Sequence, residues 1–315
     1  ITELCADEDG WRLCYLNRRE HLPRPVMQGK PKPPHTPEEM DAAQEAERIR
    51  HVYNRAAVVY SHDPDKQEAV PRLSGDDLWR FAQLEPGARV LEVGAGCGRM
   101  AVELAQAGAG EVIGVDVSPA MLEQAELRRL SLKEPALAQR ISFRLGFGRD
   151  LPFVDHRFDV VILCQIFHHI AQPLPTLEEC RRVLQPGGQL VVVDLAGPED
   201  AVKRATYNAI EAKRNPSHAA VRTVQQMQSL LEQARFTVEK HEVRTATCSA
   251  HLWLSQLGVD DGVRTQVLEM LEASMETDAA GLHVRRQDND LVFDEPIALI
   301  AARRTTSSSD TVPAQ

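Results

Sequence analysis

No apolar run in this chain reaches the ~18 residues that a membrane-spanning helix needs, and the first thirty residues lack the apolar core of a secretory leader. A membrane span is not expected, and a soluble cytoplasmic protein is. Paired cysteines are missing too: the six cysteines stand apart at positions 5, 14, 97, 164, 180 and 248. That scatter is neither a disulfide scaffold nor a CxxC motif, so reduced thiols and no metal site are expected. Positive charge is not in excess either. With 36 Lys and Arg against 46 Asp and Glu, the net charge is −10, which repels a long polyanion and argues against nucleic acid as a partner. No internal repeat is present. The chain begins at Ile1 rather than methionine, as a fragment or a processed product would.

What is there is globular in composition, with 43% hydrophobic and 26% charged residues over 315 positions. Residues 1–40 read as an extension, with a turn and strand in "CADEDGWRLCYL" and a Pro-rich linker in "PRPVMQGKPKPPHTP". "EDGWRLCYL" resembles the closing strand of glyoxalase-like metal-chelate domains, except that Cys14 stands where that family has a metal-binding glutamate. A helical pattern follows over about 36–62. Strands are then expected at 89–93, 111–116, 141–145, 158–164 and 189–195, most of them near-continuous apolar runs separated by helices. That pattern predicts an α/β fold with a doubly wound, mostly parallel sheet. Ser118 before Pro119, and Thr223 three residues before Gln226, are helix starts. Residues 198–219 and 244–288 read as helical insertions or caps, "LVFDEPIALIAARR" as a last strand, and 305–315 as a disordered tail.

The turn after the first strand of the sheet is the informative one. "VLEVGAGCG" puts glycine at 94, 96 and 98, where bare backbone can approach a ligand. A dinucleotide GxGxxG needs its third glycine at 99, which is Arg99. Asp116 ends the second strand, 18 residues after Gly98, and can accept from both hydroxyls of a ribose. Glu92 and Asp116 are acids at the ends of apolar strands, costly without a partner.

Glu92-x-Gly94-x-Gly96-x-Gly98, "DVSPAML", "GRDLPFVDHRFDVV" and "LEECRRVLQPGGQLVVVD" occur in the order of the class I S-adenosylmethionine-dependent methyltransferases, and the chain resembles that family. Upstream "VYNRAAVVYS" is similar to the tyrosine-bearing helix of its type-11 members, which include the ubiquinone and menaquinone C-methyltransferases. The resemblance covers most of residues 45–304 and implies a Rossmann-like, seven-stranded sheet with helical caps: a cofactor core at 86–196 and cap plus C-terminal strands at 197–304. It implies S-adenosylmethionine as cofactor, held by Tyr53, Tyr60, Glu92, Gly94, Ala95, Gly96, Gly98, Asp116, Val117, Met121, Phe147, Gly148 and Gln165. Phe147 stands where the family commonly has an acid near the adenine, with the backbone at Gly148 and Arg149 expected to take over its polar contacts.

The acceptor is expected to be a small molecule. In "CQIFHHI", His168 or His169 is the candidate general base, because histidine titrates near neutral pH. Arg214, His218 and Arg222 are candidates for binding an anionic or polar acceptor. Cys97 and Cys164, near the expected cleft, read as small buried hydrophobes. Two other classes share this pattern in part: a nicotinamide-dependent oxidoreductase, and a non-catalytic binding protein with this fold.

Overall fold

The computed structural model describes residues 2–7, 10–15, 37–62 and 73–305, with side chains from 41 to 59 and from 73 onward. The chain divides between Met40 and Asp41 into two units. In the first, β1 (Thr2–Asp7) and β2 (Gly10–Tyr15) pair as an antiparallel hairpin. The expected strand at "GWRLCY" is β2, and it has a partner the sequence did not suggest. The Pro-rich linker and the tail from 306 lie outside the described residues.

The second unit holds most of α1 (Pro37–His62), then α2 (Gly75–Ala82), β3 (Arg89–Val93), α3 (Arg99–Ala107), β4 (Glu111–Asp116), α4 (Pro119–Leu130), α5 (Pro135–Gln139), β5 (Ile141–Leu145), β6 (Phe158–Cys164) and α6 (Pro173–Val183). β7 (Leu184–Leu195), α7 (Ala201–Arg214), α8 (Val224–Gln233), β8 (Phe236–Ser249), α9 (Ala250–Ser255), α10 (Asp261–Ser274), β9 (Arg285–Gln287) and β10 (Asp290–Arg304) complete it. The sheet runs β5-β4-β3-β6-β7-β10-β8, with short β9 beside β10. Pairing is parallel from β5 to β7 and antiparallel around β10.

Successive residues of the central strands feed opposite cores, as the pleat requires. Val90, Val160, Ile162, Val191 and Val193 join one cluster with residues of α2, α3, α7 and α10. Leu91, Val93, Val161, Leu163 and Val192 join the other with α6 and α8. Both faces are covered, which is why these strands read as continuous apolar runs.

Four expected strands match their observed bounds, and β7 starts five residues early at Leu184. Residues 244–288 are a correction: 244–249 belong to strand β8 and only the middle is helical. β8 is an edge strand whose residues 239–241 are all exposed, and its Lys240, Glu242 and Arg244 mask the alternation that would have revealed it. Ser118 caps α4 through its bond from the Met121 N–H, and Thr223 with Gln226 forms the capping box of α8.

Candidate functional site

The turn from β3 into α3 is built on three left-handed glycines: Gly94 at φ 78°, Gly96 at 52° and Gly98 at 74°. The Gly94 and Ala95 N–H groups donate to the Val115 carbonyl at 2.7 and 3.0 Å, which pins the turn to β4. The glycines serve different ends. A Cβ on Gly94 would meet Ile166 Cγ2 at 2.2 Å, and one on Gly98 would meet Phe143 Cζ at 2.6 Å; one on Gly96 would meet only open space. Gly94 and Gly98 let the turn pack, whereas Gly96 presents bare backbone.

This turn lines a cavity of about 270 Å³ at the carboxyl ends of β3, β4 and β6. Tyr53, Glu92, Gly94, Ala95, Gly96, Asp116, Val117, Met121, Phe147, Gly148, Gln165, His168 and His169 all face it, as do Cys97 and Cys164. Gly98 is not among the lining residues and acts beneath the turn. Tyr60 lies on α1, and its side chain is outside the described residues. Gln165 holds a left-handed φ of 58° at the end of β6, the kind of local strain that concentrates at functional sites.

Asp116 is buried, and each oxygen already accepts one backbone N–H: Oδ2 from Gly96 and Oδ1 from Ser118, both at 2.8 Å. Burial raises its pKa, and these bonds, with one from Val117, pull the other way. A carboxylate can accept about four hydrogen bonds, so capacity for a ligand hydroxyl remains. Glu92 is also buried, and its Oε2 has no hydrogen-bond partner. Burial pushes its pKa up to about 8, against the opposing charge of Arg99. A buried carboxyl with an open oxygen is costly without a partner and suits a ligand ammonium.

Phe167–His169 form a 3-10 turn after β6, held by Asp194 at the end of β7. Asp194 accepts from the Phe167 and Leu195 N–H groups at 2.6 and 2.8 Å, and from His168 Nδ1 at 2.6 Å. Because the carboxylate only accepts, Nδ1 carries the proton and Nε2 of neutral His168 keeps its lone pair. Burial alone would lower the His168 pKa, but the charge and hydrogen bond of Asp194 outweigh it and the pKa is raised. His169 differs: its Nδ1 points at the Ser217 carbonyl, 3.2 Å away, and its Nε2 accepts from the Tyr53 hydroxyl at 2.7 Å. Both nitrogens are engaged, and burial together with the neighbouring His168 pushes its pKa well down.

Arg222 donates to the Phe167 and Ile170 carbonyls at 2.9 and 2.7 Å, so it braces the turn and is not an anion receptor. Helix α1 closes one side through Tyr53, through Asn54, whose Oδ1 accepts from Ser118 Oγ at 2.7 Å, and through Glu45, which pairs with Arg149 at 3.2 Å. Asp194, Asn54 and Glu211 are site residues that the sequence reading missed. Asp194 carried the same signal as Glu92 and Asp116, an acid at the end of an apolar strand, in "VVVDL". Asn54 and Glu211 lie on amphipathic helices, where polar residues are ordinary and give no signal.

Residues 91–192 match the model of a methyltransferase domain. A demethylmenaquinone methyltransferase from Tropheryma whipplei is 36% identical over 155 residues, 48% of this chain and 60% of that protein. The match thus spans about three fifths of that relative's length. A 27-O-demethylrifamycin SV methyltransferase from Amycolatopsis mediterranei is 28% identical over 66% of this chain and 75% of its own. The crystal structure of a methyltransferase candidate from Bacillus halodurans superposes with a TM-score of 0.67 at 24% identity, over 74% of this chain and 99% of that one. That last likeness concerns the fold alone.

Proposed function

Starting from a chain whose core is a class I, S-adenosylmethionine-dependent methyltransferase domain, we propose that it methylates a small molecule whose acceptor atom carries a removable proton, with His168 as general base. The observation behind this reading is the His168–Asp194 pair at 2.6 Å on the cavity wall, with Nε2 left to face an acceptor.

The residues fit the cofactor. Asp116 has acceptor capacity left for the ribose, Glu92 has an unpartnered oxygen for the ammonium of the methionine end, and Gly96 leaves open space. Bound there, S-adenosylmethionine supplies a methyl group on a sulfonium, the electrophile for an in-line displacement. The protein orients the acceptor, excludes water and accepts the proton. Asp194 holds the His168 tautomer and stabilises the imidazolium that forms; His169, its ring 4.0 Å from that of His168, is held in turn by Tyr53 of α1. Phe147 flanks the cleft where an acid is common in the family, and the Gly148 and Arg149 backbone is proposed to serve the adenine.

The methyltransferase matches favour this reading over an oxidoreductase. A hydroxyl acceptor fits the dyad, and one relative is named for an O-demethylated substrate, another for a quinone. The four described cysteines are free thiols, which supports a reducing, cytoplasmic setting. Among the described residues no helix is long and apolar enough to cross a membrane.

His168→Gln is expected to lower kcat by about 10²–10⁴-fold with unchanged affinity for S-adenosylhomocysteine. Because the His168 pKa is raised, the wild-type rate is expected to climb with pH through an inflection above ~6.5. Steady-state turnover from pH 5 to 9 checks both, and an unaltered kcat in the variant refutes the base assignment.

A further inference from the structure

The side chains that the sequence offered to an anionic or polar acceptor, Arg214, His218 and Arg222, are already committed inside the protein, as is nearby Arg48. Arg222 is spent on the carbonyls of the 3-10 turn. Arg48 donates to the Pro216 and His218 carbonyls at 3.1 and 3.0 Å. Arg214 pairs with Glu211 Oε2 at 2.9 Å, its guanidinium 4.0 Å over the Trp253 ring. His218 gives Nε2–H to Asn208 Oδ1 at 2.8 Å. Burial first, then the charge of His168, pushes its pKa down to about 3, so it is neutral.

Beyond His168 the wall carries Glu211, which is paired with Arg214, together with Gln256 and Glu295, set among apolar Trp253 and Ile297. Glu211 on α7 is 1% exposed, lines the cavity, and its Oε1 has no hydrogen-bond partner. Its charge reaches His168, which places it near the proposed base. Gln256 also lines the cavity, and its Nε2 lacks an acceptor. Glu295 on β10 is buried on the same wall. A buried acceptor and a buried donor left open in one cavity are costly unless a ligand completes them. Among the described residues the lining cations Arg99 and Arg214 are already paired with Glu103 and Glu211, which leaves no surplus positive charge for an anionic ligand, and the open polar groups would be stranded against an alkyl chain.

We infer that this wall binds a neutral or cationic, donor-rich small molecule of the polyol or amino-polyol class, which gives an O–H or N–H to Glu211 Oε1 and an oxygen to Gln256 Nε2. The inference rests on the methyltransferase reading, since it names the acceptor of that same cavity. It narrows the sequence expectation of an anionic or polar acceptor to the polar one.

The test uses the full chain saturated with S-adenosylhomocysteine, whose binding is measured first on the same sample. Four probes are then titrated at millimolar concentration by calorimetry: myo-inositol, 2-deoxystreptamine, glucuronate and a short-chain prenylated naphthohydroquinone. Binding of myo-inositol or 2-deoxystreptamine, but of neither glucuronate nor the hydroquinone, is expected, and Gln256→Ala should weaken it about tenfold. Glu211→Gln separates the two sources of the donor. It should weaken an ammonium about tenfold and leave a hydroxyl nearly unchanged, because an amide oxygen still accepts. Should Glu211→Gln fail to fold, Gln256→Ala decides. Binding of the anionic or prenylated probe, no binding of either polar probe, or indifference to Gln256→Ala overturns the inference. Absent S-adenosylhomocysteine binding fails the methyltransferase reading instead, so the two failures are distinct.

Discussion

Glu92 and Asp116 are both buried acids on the cavity wall, yet they differ in what already satisfies them. Asp116 holds two backbone N–H groups, whereas Glu92 keeps an open oxygen and a pKa of about 8. A ligand ammonium beside Glu92 would favour its charged form and expel a proton. Calorimetry of S-adenosylhomocysteine binding at pH 6.5, in buffers of different ionisation enthalpy, should therefore report proton release that Glu92→Gln abolishes; equal proton counts would refute the pairing. The same shift acts on stability. A folded pKa raised above the ordinary ~4.3 means that the contribution of Glu92 is full below that value and fades as pH rises to about 8. Asp116→Ala is expected to weaken cofactor binding at least tenfold, about 1.4 kcal/mol, and unchanged affinity in a folded variant would contradict its role. Both acids were legible in the sequence, because an acid ending an apolar run requires a partner. Asp194 met the same criterion and was overlooked, since "VVVDL" sits far along the chain from the glycine turn.

The 3-10 turn at 167–169 is the element on which the proposed chemistry depends, and no periodicity announces it. It is set by a long-range acid, Asp194, and a long-range cation, Arg222, 27 and 55 residues from Phe167. The twin histidines were visible in the sequence, but their division of labour was not: one faces the acid and the other a carbonyl and a tyrosine. Asp194→Asn removes the charge that raises the His168 pKa while keeping a side chain of the same shape. The acid limb of the pH–rate profile is expected to move to lower pH and kcat to fall, with KM for S-adenosylmethionine little changed. A limb that stays in place would show that Asp194 does not set the base. Strand β8 escaped sequence reading for another reason. As a charged edge strand it pairs, among the described residues, with β10 alone, and it has little apolar surface to declare it.

Across the whole molecule, the parallel half of the sheet carries the cleft and the antiparallel half around β10 carries cap contacts. Each half was legible to a different degree. β3 to β7 follow a local rule of buried runs and short turns, so all five could be placed from their apolar runs, β7 without its first five residues. The cap obeys only tertiary contacts: Trp253, Tyr207 and Leu271 share one cluster although they lie on three different helices. The central claim concerns the cavity those parts enclose. Its most direct test is a calorimetric titration of the full chain with S-adenosylmethionine, with NADH titrated in parallel. One-site micromolar binding of S-adenosylmethionine, together with no heat from NADH, is the expected result. Binding of NADH with none of S-adenosylmethionine would contradict the account.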